Sequence, residues 1–278
     1  MAAIRQTCDI WAARGASGAY LAENRVCSLV FSLEQEVAKK TRIIITDLTR
    51  FKEGNPNVCT AGVTSEGKLI RPYPPYLEAK ECVRLDLHPG AILEGKFTPA
   101  SEGPPHVEDC KWETLTYIDR CSSEKFREAL ETGLFNSISE GFEYDLPSGE
   151  KCIPVSVTPP RSIITIKLPP HSFSIVSDGY DRKKIRANFW EADGNQRSFF
   201  GITDRGFADR ALKIKGDATA IAKMNYHVQS QSELYLRIGL SRPSKAPNGK
   251  NGYWLQVNGI YTFPEYMDYI RCYDDKED

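Results

Sequence analysis

Two neighbouring stretches carry residue types that can hold a flat, anionic ligand. In "IRANFWEA", Arg186, Asn188 and Trp190 alternate with Ile185, Ala187 and Phe189. In "QRSFFGITD", Arg197, Phe199 and Thr203 share one parity, and Ser198, Phe200 and Ile202 the other. Strand alternation sends the two sets to opposite faces, and the intervening "DGN" reads as a hairpin turn. The outer faces then merge into one patch of Arg, Asn and Trp beside Arg, Phe and Thr. Aromatic faces stack bases at about 1–3 kcal/mol per base. Arginines neutralise phosphate and stack as well. Lys183, Lys184, Arg205, Arg210, Lys213 and Lys215 surround the patch in sequence. The same large aromatics would equally suit packing under a helix or against another part of the chain.

Other polar residues have two readings each. Thr203 and Asp204 end a strand, where the Asp can accept from a base or a ribose hydroxyl, or cap the next helix. In "CTAGVTSEGKLIRPYPPYL", Leu69, Arg71 and Tyr73 share one face of a returning strand. Pro72, Pro74 and Pro75 remove backbone donors, so that strand ends at an edge. Arg71 is thereby presented for a phosphate, or for a carboxylate such as Glu108 or Asp109.

Catalytic and metal motifs are missing from the letters. His88, His106, His171 and His227 show no chelating spacing, and no P-loop, Rossmann or nucleophile-elbow pattern occurs. The expectation is therefore no metal, no cofactor and no catalytic residue. The eight cysteines are scattered without a C-x-x-C pair, which reads as free thiols in a cytoplasmic protein. No apolar run approaches the roughly 20 residues of a membrane span.

The elements that must position these residues are mostly short strands. From "RIIITDL" onward, β-branched runs alternate with Gly, Pro and Asn signals. One helix stands out near 122–132, with Ser122 or Ser123 as N-cap and Phe126, Ala129 and Leu130 on one face. Gly133 fits its left-handed terminus. A Pro-rich passage around 146–161 divides the chain. The resulting reading is mainly β with a minor helical part, in two sets of about five strands, 41–150 and 160–272. Residues 1–40 read as an N-terminal extension, either an added helix or sequence ahead of a misplaced start. Charge divides likewise. Residues 42–158 hold 13 Lys/Arg and 19 Asp/Glu, and residues 159–250 hold 16 and 8. A basic second part inside a near-neutral chain points to an anionic partner, or to the acidic first part as its mate.

Taken in order, "CTAGVTSEGKLIRPYPP", "HPGAILEGKFTPASEGPPHVED", "RANFWEADGNQRSFFGITD" and "LYLRIGLSRP" with "YWLQVNGIY" resemble the dual OB-containing domain family of bacterial proteins. The likeness runs over roughly residues 42–263. It departs from the family in the extra 1–40 segment and in "TDLTRFKEGNPN", where the family has a more basic, Ser/His-containing loop. The resemblance implies two small OB-like five-stranded barrels in tandem and no assigned catalysis. Such barrels commonly bind oligonucleotides across one sheet face.

The expected function is a non-enzymatic module that binds single-stranded nucleic acid or a nucleotide. Arg186, Asn188, Trp190, Arg197, Phe199, Thr203 and Asp204 form the main face, and Arg71 and Tyr73 contribute from the first barrel. A protein-interaction adaptor with a basic second barrel, and an enzyme acting on nucleotides or nucleic acid, are the alternatives.

Overall fold

The structure, a computed structural model, describes residues 40–52 and 54–265. The 1–40 extension, save its last residue, lies outside the described residues. Among the described residues, fifteen strands and five α-helices follow one another. They are β1 Lys40–Arg50, β2 Asn57–Thr64, β3 Leu69–Pro72, β4 Leu77–Glu78, α1 Ala79–Arg84, β5 Ala91–Pro99 and β6 Asp109–Arg120. Next come α2 Ser123–Glu131, β7 Leu134–Phe135, α3 Ile138–Phe142, β8 Cys152–Pro154, β9 Ile163–Leu168, β10 Phe173–Ser177, β11 Ile185–Trp190 and β12 Gln196–Ile202. Last are α4 Arg205–Ile214, α5 Ala218–Gln229, β13 Glu233–Leu240, β14 Ser244–Lys245 and β15 Asn251–Phe263.

The first sheet closes on itself. Its order is β1-β5-β6-β3-β2, and β2 returns to β1. All neighbours run antiparallel except the β3/β6 pair, which is parallel. Closure removes the sheet edges that would otherwise template aggregation. Ile43, Ile45, Val58, Ile70, Leu77 and Leu93 fill the interior.

The second sheet is open, where the tandem-barrel reading expects closure. Its main path is β10-β11-β12-β15-β13-β9-β7, with β8 and β14 on β15. Two of its pairs are parallel, β12/β15 inside the sheet and β7/β9 at its edge. Pro169 and Pro170 interrupt the chain between β9 and β10, and a single 3-10 turn replaces the strand there. β9 then pairs with β13, and β10 with β11. Leu168, Phe173, Phe189, Phe200, Leu236 and Val257 nevertheless share one core, which α5 covers with Ile221, Met224 and Val228.

The helix expected near 122–132 forms as α2, and the Ser122 hydroxyl accepts from Lys125 N at 3.2 Å. Its exit differs from expectation. Thr132 stays right-handed and Gly133 does not take positive φ. Its apolar face meets Tyr235, Tyr261 and Phe263 of the second sheet.

Two β-bulges aim the side chains that lock the sheets together. In β1 the pairing skips Thr46, and in β15 it skips Asn258 opposite Arg237. A bulge reverses which face the following residues take. Ile45 and Leu48 thus both point into the barrel, while Asp47 turns outward to meet Arg237. No helix among the described residues is long and apolar enough to cross a membrane.

Candidate functional site

A cavity of about 660 Å³ lies between the barrel and the second sheet. From the barrel side come Arg50, Phe51 and Lys52 at the end of β1, Arg71 from β3, Tyr76, and His106 from the loop before β6. From the other side come Lys183, Lys184 and Arg186, then Gly201 of β12 with Thr203 just after it, and Arg242 just past β13. Ala208, Ala211 and Leu212 of α4 supply an apolar wall.

The lining is cationic. Among the described residues, seven Lys and Arg and one carboxylate, Asp181, line the cavity. Several cations are held from behind by acids outside the lining, and Lys184 by the lining Asp181. Arg50 pairs with Asp209, and Arg186 reaches Asp178 at 2.7 Å. Arg242 donates to Asp109 at 2.6 Å, and Lys184 pairs with Asp181 at 3.0 Å. Lys52 makes no ion pair among the described residues. The cations point into the cavity while several of their acids do not, and the low-dielectric walls concentrate the potential they present.

Arg71 anchors a buried cluster at the cavity's inner end. It contacts Glu108 at 2.5 Å and Asp109 at 2.7 Å. Its Nη2 also donates to His106 Nδ1 at 2.9 Å. The Ser162 hydroxyl donates to Glu108, which ties β9 to the barrel loop. Burial opposes the Arg71 charge, but Glu108 and Asp109 overcome it and raise its pKa. Burial would raise Glu108, yet the Arg71 charge and the bond from the Ser162 hydroxyl hold it below the usual carboxylate range. Burial lowers His106, with Arg71 and Arg242 adding to the effect against Glu108. His106 is thus neutral at pH 7, with its proton on Nε2 because Nδ1 accepts from Arg71.

Phe51 and Tyr76 line the barrel side of the mouth, with Tyr73 behind them. Phe51 meets Tyr76 edge-on at 4.9 Å, and Tyr76 meets Tyr73 at 4.3 Å. The Arg242 guanidinium lies over the Tyr73 ring at 4.8 Å.

The structure scatters the residues expected to form one face. Arg186 and Thr203 line the cavity, as does Arg71, although Arg71 is largely spent on its two carboxylates. Tyr73 supports Arg242 instead of lining the cavity. Trp190 and Phe199 are half exposed, at 50% and 52%. Asp204 is the N-cap of α4 and accepts from Phe207 N at 3.1 Å. Arg197 corrects the alternation reading: it is fully buried and paired with Glu191 at 2.5 Å.

The cause is a bulge in β12. Ala187 pairs with Phe200 and Phe189 with Arg197, so Ser198 and Phe199 together oppose Asn188. The extra residue reverses parity and turns Arg197 inward while Phe199 points out. Phe199 takes φ of +57°, rare for an aromatic residue. Asn188 Oδ1 accepts from Phe199 N at 2.7 Å and holds the bulge.

Sequence reasoning did not single out Arg50, Lys52, Phe51, Tyr76 or Arg242. "TDLTRFK" and "LSRP" each show a basic residue at a strand end, but only the fold brings the two together. Comparison with protein-family models, curated proteins and solved structures found no match to this chain.

Proposed function

We propose that this protein binds a phosphate-bearing nucleotide, free or within single-stranded nucleic acid, in the cavity between the barrel and the second sheet. One observation carries the reading. Among the described residues the cavity faces its ligand with seven cations and one carboxylate, and the acids paired with Arg50, Arg186 and Arg242 stand outside its lining. Phe51 and Tyr76 add flat apolar surface beside the charges, which suits a base next to its phosphate. A volume of about 660 Å³ falls within the usual range for small-ligand sites. The role is binding without catalysis.

An OB-like reading of both halves accompanies the proposal, in line with the resemblance to the dual OB-containing domain family. The barrel's one parallel pair and the helix α1 ahead of β5 support it. The second sheet has a parallel pair of its own, β12/β15, besides β7/β9 at its edge, and places α4 and α5 between β12 and β13. On this view β9 and β10 are one barrel strand broken at Pro169 and Pro170. The free state of Cys59, Cys82, Cys110, Cys121 and Cys152 accords with a reducing, cytoplasmic setting.

The test is fluorescence anisotropy of labelled single-stranded DNA and RNA, with unlabelled mononucleotide as competitor. Binding at micromolar protein or below, weakened as salt rises from 50 to 200 mM, is expected. No binding, or binding indifferent to salt, overturns the reading.

A further inference from the structure

We infer that the ligand is an oligonucleotide that leaves the cavity past Arg186 and stacks its next bases on Phe199 and Trp190. This rests on the nucleotide reading above and extends it from one subsite to a track. Arg186, Asn188 and Trp190 alternate along β11 and share its outer face. Arg186 lines the cavity, so that face starts inside it and ends at an exposed indole. Trp190 lies two residues beyond Asn188, about 7 Å along the strand.

The opposite wall of the track is built by the bulge. Phe199 sits beside Asn188, held by the 2.7 Å bond from its backbone N–H to Asn188 Oδ1. An aromatic residue at positive φ is costly, and such strain persists where the surroundings enforce it, often at ligand contacts. Its effect here is to turn Arg197 inward while the Phe199 ring keeps its place on the solvent side. Gly201, the partner of Arg186, keeps the path between ring and cavity clear. A Cβ there would stand 3.0 Å from Arg186 Nη1.

Charge accompanies the rings. Lys151 Nζ lies 5.8 Å from the centre of the Phe199 ring. Burial and the nearby Arg186 charge hold its pKa below the usual lysine value. A phosphate bridging Arg186 and Lys151 would relieve that repulsion while its base covers Phe199. A single strand supplies such a phosphate between successive bases.

The experiment measures the affinity of fluorescein-labelled oligothymidylates of one, two, four and eight nucleotides. Wild type is compared with Trp190→Ala and Phe199→Asn. Both side chains are half exposed, and asparagine tolerates positive φ, so the variants keep the fold. Affinity in wild type is expected to rise roughly tenfold per added stacked base over the first few nucleotides. Each variant is expected to lose about one such step while keeping the mononucleotide affinity. Length-independent affinity, or a length gain unchanged in both variants, overturns the track and leaves the cavity reading standing. Absence of binding at every length overturns both.

Discussion

Arg237 and Asp47, 190 residues apart in sequence, meet at 2.8 Å between the two sheets. Each stands beside a β-bulge, one skipping Thr46 and the other Asn258. Arg237 also donates to Thr165 Oγ1 at 2.9 Å, and the Thr46 hydroxyl donates to Asp47 at 2.8 Å. The pair is almost fully buried, so neither charge has water to fall back on. This seam holds the walls of the cavity together.

Removing one partner should therefore cost more than removing both. Arg237→Met leaves Asp47 buried and unpaired, a loss of about 3–5 kcal/mol. That corresponds to roughly 10 °C in Tm for a chain of this size. The double variant Arg237→Met with Asp47→Asn should recover a substantial part. Thermal denaturation of the three proteins, read as a double-mutant cycle, checks this.

Acid should weaken the inner end of the cavity in two stages. The His106 pKa is depressed in the folded protein, so below the ordinary value of about 6.5 the unfolded chain takes up a proton that the native state refuses. Stability is present above that pH and declines as pH falls through the interval beneath it. Glu108 is likewise depressed, so its contribution is present above about pH 4.5 and is lost at lower pH. Denaturant titrations from pH 7.5 to 4 should show a stability decline starting near pH 6.5. His106→Gln should abolish the first stage and keep the second.

Arg186 should govern affinity without governing the fold. It is about a third exposed and is aimed by its bonds to Asp178. Losing one charge-assisted contact to phosphate costs about 1.5–3 kcal/mol, or roughly 10- to 100-fold in Kd. Arg186→Gln is expected to weaken oligonucleotide binding by that factor with little change in Tm. Arg186→Lys should fall between, because an ammonium cannot reproduce the planar fork.

Arg197 should behave in the opposite way. Its Nε donates to Glu191 and its Nη1 to the Leu146 carbonyl at 3.0 Å, all inside the core. Arg197→Met strands Glu191 and should lower Tm markedly, while the folded fraction keeps wild-type affinity. Anisotropy titrations at a temperature well below the variant's Tm separate the two effects.

The contrast between Arg186 and Arg197 shows where sequence reading reaches its limit. Alternation placed Arg186, Asn188 and Trp190 on one face, and the strand β11 keeps that pattern. Alternation failed four residues into the next stretch because Phe199 carries the bulge. Bulges at positive φ are normally signalled by glycine, and no glycine marks this one. The β-rich texture, the helix cap at Ser122 and the cap at Asp204 were local and legible. Arg50 and Arg242 were not, because their joint role depends on a closed barrel meeting a second sheet. The second half does not close, and Pro169 and Pro170 interrupt the chain between β9 and β10.

The salt dependence of single-strand binding tests the central claim most directly. Wild type and Arg186→Gln are titrated with the same labelled oligothymidylate across 50–300 mM salt, and log K is plotted against log salt. Phosphate held by the cavity gives a steep negative slope in wild type, reduced by about one unit in the variant. Identical slopes for the two proteins would contradict the assignment of the cavity as the phosphate site.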